Sequence, residues 1–121
     1  MGNKEESATQ ASNLAPSLDR IFDLLSSTRR RQILYYLHNQ SEGVATIDEL
    51  VEYVVVQEPE QWADAHPHER EVETALHHVH LPKLIEYGVL EYDPRSQTVR
   101  YWSQPSLEEW LEHAYHKECR L

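Results

Sequence analysis

The sequence predicts an α+β fold that is mostly helical, with one C-terminal β-hairpin and a further amphipathic helix behind it. Three observations carry this prediction. Apolar residues recur at helical spacing in four stretches between Leu18 and Tyr87. Two β-rich segments, Val89–Tyr92 and Thr98–Trp102, flank the turn-forming cluster Asp93-Pro94-Arg95-Ser96-Gln97. After them, Leu107, Trp110, Leu111, Ala114 and Tyr115 draw one apolar stripe along a helix.

In chain order, residues 1–13 are polar and aperiodic and read as a disordered tail. Leu18, Ile21, Phe22 and Leu25 define a first helix, with Ser17 as its cap and Ser26-Ser27 as its interruption. A second helix begins around Thr28, carries Ile33, Leu34 and Leu37 on one face, and ends near Asn39. Thr46 and Glu49 form a T-x-x-E capping box before a third helix bearing Leu50 and Val54. Pro59 to Pro67 reads as a loop with a turn around Trp62. A fourth helix is predicted from His68 to Tyr87, closed by Gly88 as a left-handed cap. Pro82 lies inside it and should kink or break it, and the apolar phase changes there from Val72/Leu76/Val79 to Leu81/Leu84/Ile85. Ser106 and Glu109 suggest a capping box for the last helix. The expected core is Leu18, Ile21, Phe22, Leu25, Ile33, Leu34, Leu37, Leu50, Val54, Leu76, Val79, Leu84, Val89 and Trp102.

Composition narrows the function classes. At 121 residues the chain suits one domain. Its longest apolar run is Val54-Val55-Val56, too short to span a bilayer, and no secretory h-region is visible, so a soluble cytoplasmic protein is expected. Cys119 is the single cysteine, which excludes a disulfide framework or a Cys-rich zinc module. The formal charge is -10, with three lysines against eight arginines. Such a surplus of acid opposes phosphate contacts in dilute salt. In molar salt, where the Debye length is about 3 Å, it hardly does, and an acidic, lysine-poor surface suits that environment.

Specific residues add a family resemblance. Thr28 to Leu37, TRRRQILYYL, resembles the R-x-x-I-L-x-x-L second helix of ArsR-like regulators. His80 to Leu90, HLPKLIEYGVL, resembles their junction between recognition helix and wing. The likeness spans about residues 18–102 and extends to small winged-helix proteins of halophilic archaea. It implies a winged helix-turn-helix over residues 14–104, followed by a dimerisation helix at 105–121. It further implies a transcriptional regulator that binds double-stranded DNA as a homodimer.

Placed on that scheme, Arg70, Thr74, His77 and His78 avoid the apolar face of the fourth helix and become the DNA readers, and Arg95 and Arg100 on the hairpin become phosphate contacts. Dimerisation falls to Leu18, Phe22 and Leu25 on the first helix with Leu107, Trp110, Leu111, Ala114 and Tyr115 on the last. Two features depart from the pattern. A dozen residues, Gln57 to His68, stand where a helix-turn-helix usually has three or four. The reading helix also opens with Glu69, Glu71 and Glu73. In the basic triplet Arg29-Arg30-Arg31, one arginine is expected to be structural and two exposed.

Other chemistries have less support. Glu109, Glu112, His113 and His116 imitate the carboxylate–histidine sets of some ArsR-like sensors. Their spacing matches no sensor motif, however, and H-E-x-x-H is absent, so no metal or cofactor is expected. No phosphate-binding glycine loop or nucleophile elbow is present, so no catalytic residue is assigned. The alternative to a DNA-binding protein is a winged-helix interaction or dimerisation module that makes no direct DNA contact.

Overall fold

The computed structural model describes residues 17–58 and 65–119. The N-terminal tail and the turn around Trp62 lie outside the described residues. Helix α1 (Leu18–Leu25) starts on Ser17, whose hydroxyl accepts from the Arg20 N–H, and α2 (Thr28–His38) starts on Ser27, which accepts from the Arg30 N–H. Strand β1 (Val44–Thr46) leads directly into α3 (Ile47–Gln57). Both halves of the capping box are made here: Glu49 N donates to Thr46 Oγ1 at 3.0 Å and Thr46 N to Glu49 Oε1 at 2.9 Å.

The long fourth helix is composite. It runs as α4 (Ala65–Ala75), one π-helical turn (Leu76–His80) and α5 (Leu81–Glu86). It begins three residues earlier than expected, because a proline in a first turn, here Pro67, has no intrahelical N–H bond to lose. The predicted disturbance at Pro82 takes the form of the π turn just before it, closed by the Leu81 N–H on the Leu76 carbonyl. An α-helix would press the Pro82 ring against the His78 carbonyl and leave that carbonyl without a donor. The wider turn also resets the helical phase, so His68, Val72, Leu76, His80, Leu81 and Leu84 are all buried. Val79 is turned out and half exposed, which removes it from the core. At the far end, Val89 N donates to Leu84 O and Gly88 N to Ile85 O, with Gly88 at φ 80, the left-handed closure expected of it.

Strands β2 (Leu90–Asp93) and β3 (Thr98–Tyr101) form the predicted hairpin. The sequence reading missed β1, which pairs with β3 to give an antiparallel sheet of order β1-β3-β2. On β3, Val99 and Tyr101 point into the core, so period-two alternation turns Arg100 and Trp102 outward and corrects the expectation that Trp102 is buried. Helix α6 (Pro105–Glu118) is capped by Gln104 with Pro105 in its first turn, so the Ser106/Glu109 capping box does not form.

The core gathers Ile21, Leu24, Ile33, Leu34, Leu37, Leu50, Val54, Leu84 and Val89 with Tyr35, Leu107 and Leu111. The last two correct an expectation: α6 packs on α1 and α2 of its own chain, and Leu107 and Leu111 are buried there. Helix α1 is rotated so that Ile21 and Leu24 face inward. Leu18 and Phe22, expected in the core, are half exposed, and Leu25 is partly buried. No helix among the described residues is long and apolar enough to cross a membrane.

Candidate nucleic-acid interface

The open side of α4 and the π turn brings four of the expected readers together. Arg70, Thr74, His77 and His78 line one shallow groove of about 300 Å³, with Glu73 among them. The π turn presents His77 and His78 side by side while keeping His80 inside. The His77 imidazole lies 3.9 Å from the Glu73 carboxylate and meets the Tyr92 ring of β2 edge-on at 6.1 Å. That ring contact joins the helix to the hairpin.

Arg95 occupies the hairpin tip. Asp93 organises the turn by accepting from Arg95 N at 3.0 Å and from the Ser96 hydroxyl at 3.0 Å, and Gln97 takes a left-handed conformation at φ 57. Arg100 sits elsewhere: on the outward face of the sheet, opposite Glu91 and Val44, with its guanidinium 5.8 Å from the Trp102 ring centroid. Arg95 therefore lies in the turn beyond the strands, whereas Arg100 lies within the sheet.

Arg20, Arg29, Arg30, Arg31 and Lys83 are all engaged within the molecule. None of the Arg29-Arg30-Arg31 triplet is a free surface charge, contrary to the expected split of one structural and two exposed residues. Arg29 Nε donates to Glu58 at 2.6 Å and its two Nη atoms donate to Glu71 at 2.9 and 2.7 Å. Arg30 is buried and donates to the carbonyls of Leu24 and Asp23. Arg31 pairs with Glu118 at 2.7 Å, Lys83 pairs with Asp23 at 2.7 Å, and Arg20 lies over the Tyr87 ring. These bonds from Arg29 hold the Glu71 carboxyl below its ordinary pKa, and Arg31 does the same for Glu118. Of the glutamates opening α4, Glu71 is thus turned to α2 rather than into the groove.

Among the described residues, the guanidinium groups of Arg70 and Arg95 make no ion pair or hydrogen bond, and Arg100 contacts only an indole. Glu73, Glu91 and Asp93 lie close by, so this side is mixed in charge rather than basic.

The expected dimerisation residues divide. Leu107 and Leu111 are consumed by the core and Leu25 and Ala114 partly so, because α6 closes over α2. Leu18, Phe22, Trp110 and Tyr115 stay exposed, with the Phe22 and Trp110 rings edge-to-face at 5.2 Å. On the same helix His113 leans on Trp110, and no group of three or more His, Cys, Asp or Glu among the described residues is arranged to hold a metal ion. Sequence reasoning missed the partners of Arg29, Arg30 and Tyr92, which no local pattern announces.

A family described as a domain of unknown function, DUF7344, matches residues 22–100. No curated protein and no solved structure matches the chain.

Proposed function

The chain belongs to the DUF7344 family, and we propose that it is a cytoplasmic, non-enzymatic transcriptional regulator of the ArsR-like winged helix-turn-helix type. In this reading α3 and α4 are the helix pair, α4 with its π turn reads the major groove, and the β2–β3 hairpin is the wing. The observation that carries it is the fate of the arginines. An acidic chain holds Arg29, Arg30 and Arg31 in bonds to its own carboxylates and carbonyls and, among the described residues, leaves the guanidinium groups of Arg70 and Arg95 unpaired on the open side of the helix and at the hairpin tip. The His77–Tyr92 contact supports a hairpin held beside the reading helix. The exposed Leu18, Phe22 and Trp110 support a homodimer, which would present two reading helices to successive turns of one duplex.

The test is binding of a labelled mixed-sequence DNA duplex across a salt series. Arg70→Ala, Arg95→Ala and Arg100→Ala should each lower the slope of log affinity against log salt, by about 0.9 for every phosphate the variant no longer neutralises. Because Arg100 faces outward on the sheet, its slope change should be the smallest of the three. A wild-type protein that binds no duplex at any salt overturns the reading. The mixture of Glu73, Glu91 and Asp93 with these arginines favours one second reading, the same scaffold used as a protein-interaction module. The failed duplex titration would select it.

A further inference from the structure

Two kinds of contact among the described residues bear on how helix α4 is oriented. One is apolar burial along the line His68, Val72 and Leu76. The other is a single guanidinium. Arg29 Nε and Nη2 donate to the two oxygens of Glu58 at 2.6 and 3.1 Å, while Nη1 and Nη2 donate to the two oxygens of Glu71 at 2.9 and 2.7 Å. The Glu58 carboxylate also lies 3.0 Å from the imidazole of buried His68. Glu58 directly follows α3, and His68 and Glu71 belong to the first turns of α4. One arginine of α2 thus ties together both ends of the connection whose length departs from a helix-turn-helix.

The angular position of Glu71 matters. At about 100° per residue, Glu71 falls roughly 60° from His68 on one side and roughly 60° from Thr74 on the other. It marks the border between the buried line and the groove-facing line of Arg70 and Thr74. Burial of Val72 and Leu76 turns this face of the helix toward the core, but a small rotation that keeps both side chains covered is resisted only weakly, since apolar attraction has no direction. A bidentate fork at the border resists that rotation, because both carboxylates must stay in the guanidinium plane.

We propose that Arg29 is the positioning residue of the reading helix, setting the rotation at which α4 presents Arg70 and Thr74. This inference rests on the reading of α4 as the DNA-contacting helix. The Arg29 guanidinium is held further toward its charged form, and the Glu71 carboxyl below its usual range, each by the bonds between them. A lysine at this place would supply charge without the fork.

The test compares the wild type with Arg29→Gln, Arg29→Lys, Arg70→Ala and the Arg29→Gln/Arg70→Ala pair, with a mixed-sequence duplex as probe. Glu71→Gln, which removes one arm of the fork at a half-exposed site, serves if Arg29→Gln fails to fold. Arg29→Gln should weaken duplex binding on the order of tenfold, with Arg29→Lys little better. Arg70→Ala should cost nothing further in the Arg29→Gln background, whereas independent effects would add. Amide hydrogen exchange over residues 65–80 should quicken in the same variant while α1 and α6 keep their protection. Additive losses with unchanged exchange at 65–80 overturn the proposal. If the wild type binds no duplex, the DNA reading has failed, and the exchange measurement alone decides: quickened exchange upholds the clamp and unchanged exchange removes it.

Discussion

Arg30 Nη1 donates to Nδ1 of His80 at 3.3 Å inside the protein, where both side chains are buried. The same guanidinium donates to the carbonyls of Leu24 at 3.0 Å and Asp23 at 2.8 Å in the last turn of α1, where the Asp23 carbonyl also accepts from Ser26 N. Arginine offers only donors, so the His80 nitrogen facing it must be the unprotonated one. A second positive charge there would be both desolvated and repelled. Burial first, then Arg30 and Arg29, push the His80 pKa down to about 4.

Stability should therefore fall with acidification earlier than carboxylate protonation explains. The unfolded imidazole binds its proton near pH 6.5 and the folded one only near 4, so falling pH shifts the balance toward the unfolded state between those values. The contribution of neutral His80 is complete above pH 6.5 and is lost on the way down, on the order of 3 kcal/mol in all. Denaturant midpoints measured from pH 7 to 4.5 should show this slope, and His80→Gln should flatten it. An equal slope in the variant would remove His80 as its source.

Base preference should reside in the groove rather than in the hairpin. If the proposed function holds, Thr74→Ala and His77→Ala should change which duplexes are enriched from a random library, since both side chains line the open groove on α4 and the π turn. Arg95→Ala should weaken all sequences alike. A uniform loss for His77→Ala would instead assign it to holding Tyr92, 6.1 Å from its ring.

Assembly should depend on the exposed aromatic pair. Leu111 is 1% exposed, so Leu111→Glu would unfold the protomer rather than split a dimer. Phe22→Ser with Trp110→Ser reaches only half-exposed and exposed rings in edge-to-face contact at 5.2 Å. Sedimentation in high salt should show a wild-type dimer and a folded monomeric variant. A monomeric wild type at micromolar concentration contradicts the dimer.

Gly88 should tolerate alanine only at the expense of backbone strain. Its φ is 80, and a Cβ there would meet no atom within 4 Å. The penalty is thus conformational, about 1–2 kcal/mol. Gly88→Ala should lower the denaturant midpoint with an unchanged m value, and an unshifted midpoint would show that the turn relaxes.

Features made by bonds between near neighbours are legible in the amino acids alone. Ser17 beneath α1, the Thr46–Glu49 box, the Gly88 closure and the hairpin around Asp93 each join residues a few positions apart, so composition and spacing disclose them. Even Pro82 disclosed its disturbance, though not that a π turn would absorb it. What covers each face, and which charge meets which, follows instead from packing between distant parts of the chain. Arg29 and Glu71 stand 42 residues apart, and Arg30 and His80 stand 50 apart. Strand β1 is three residues long and exists because β3 is there to bond it. Helical periodicity shows that Leu107 and Leu111 need cover, but hydrophobic attraction is indifferent to whether that cover is a partner or the chain's own α2. Here α2 supplies it, because α6 returns over the core and leaves Phe22 and Trp110 at its edge.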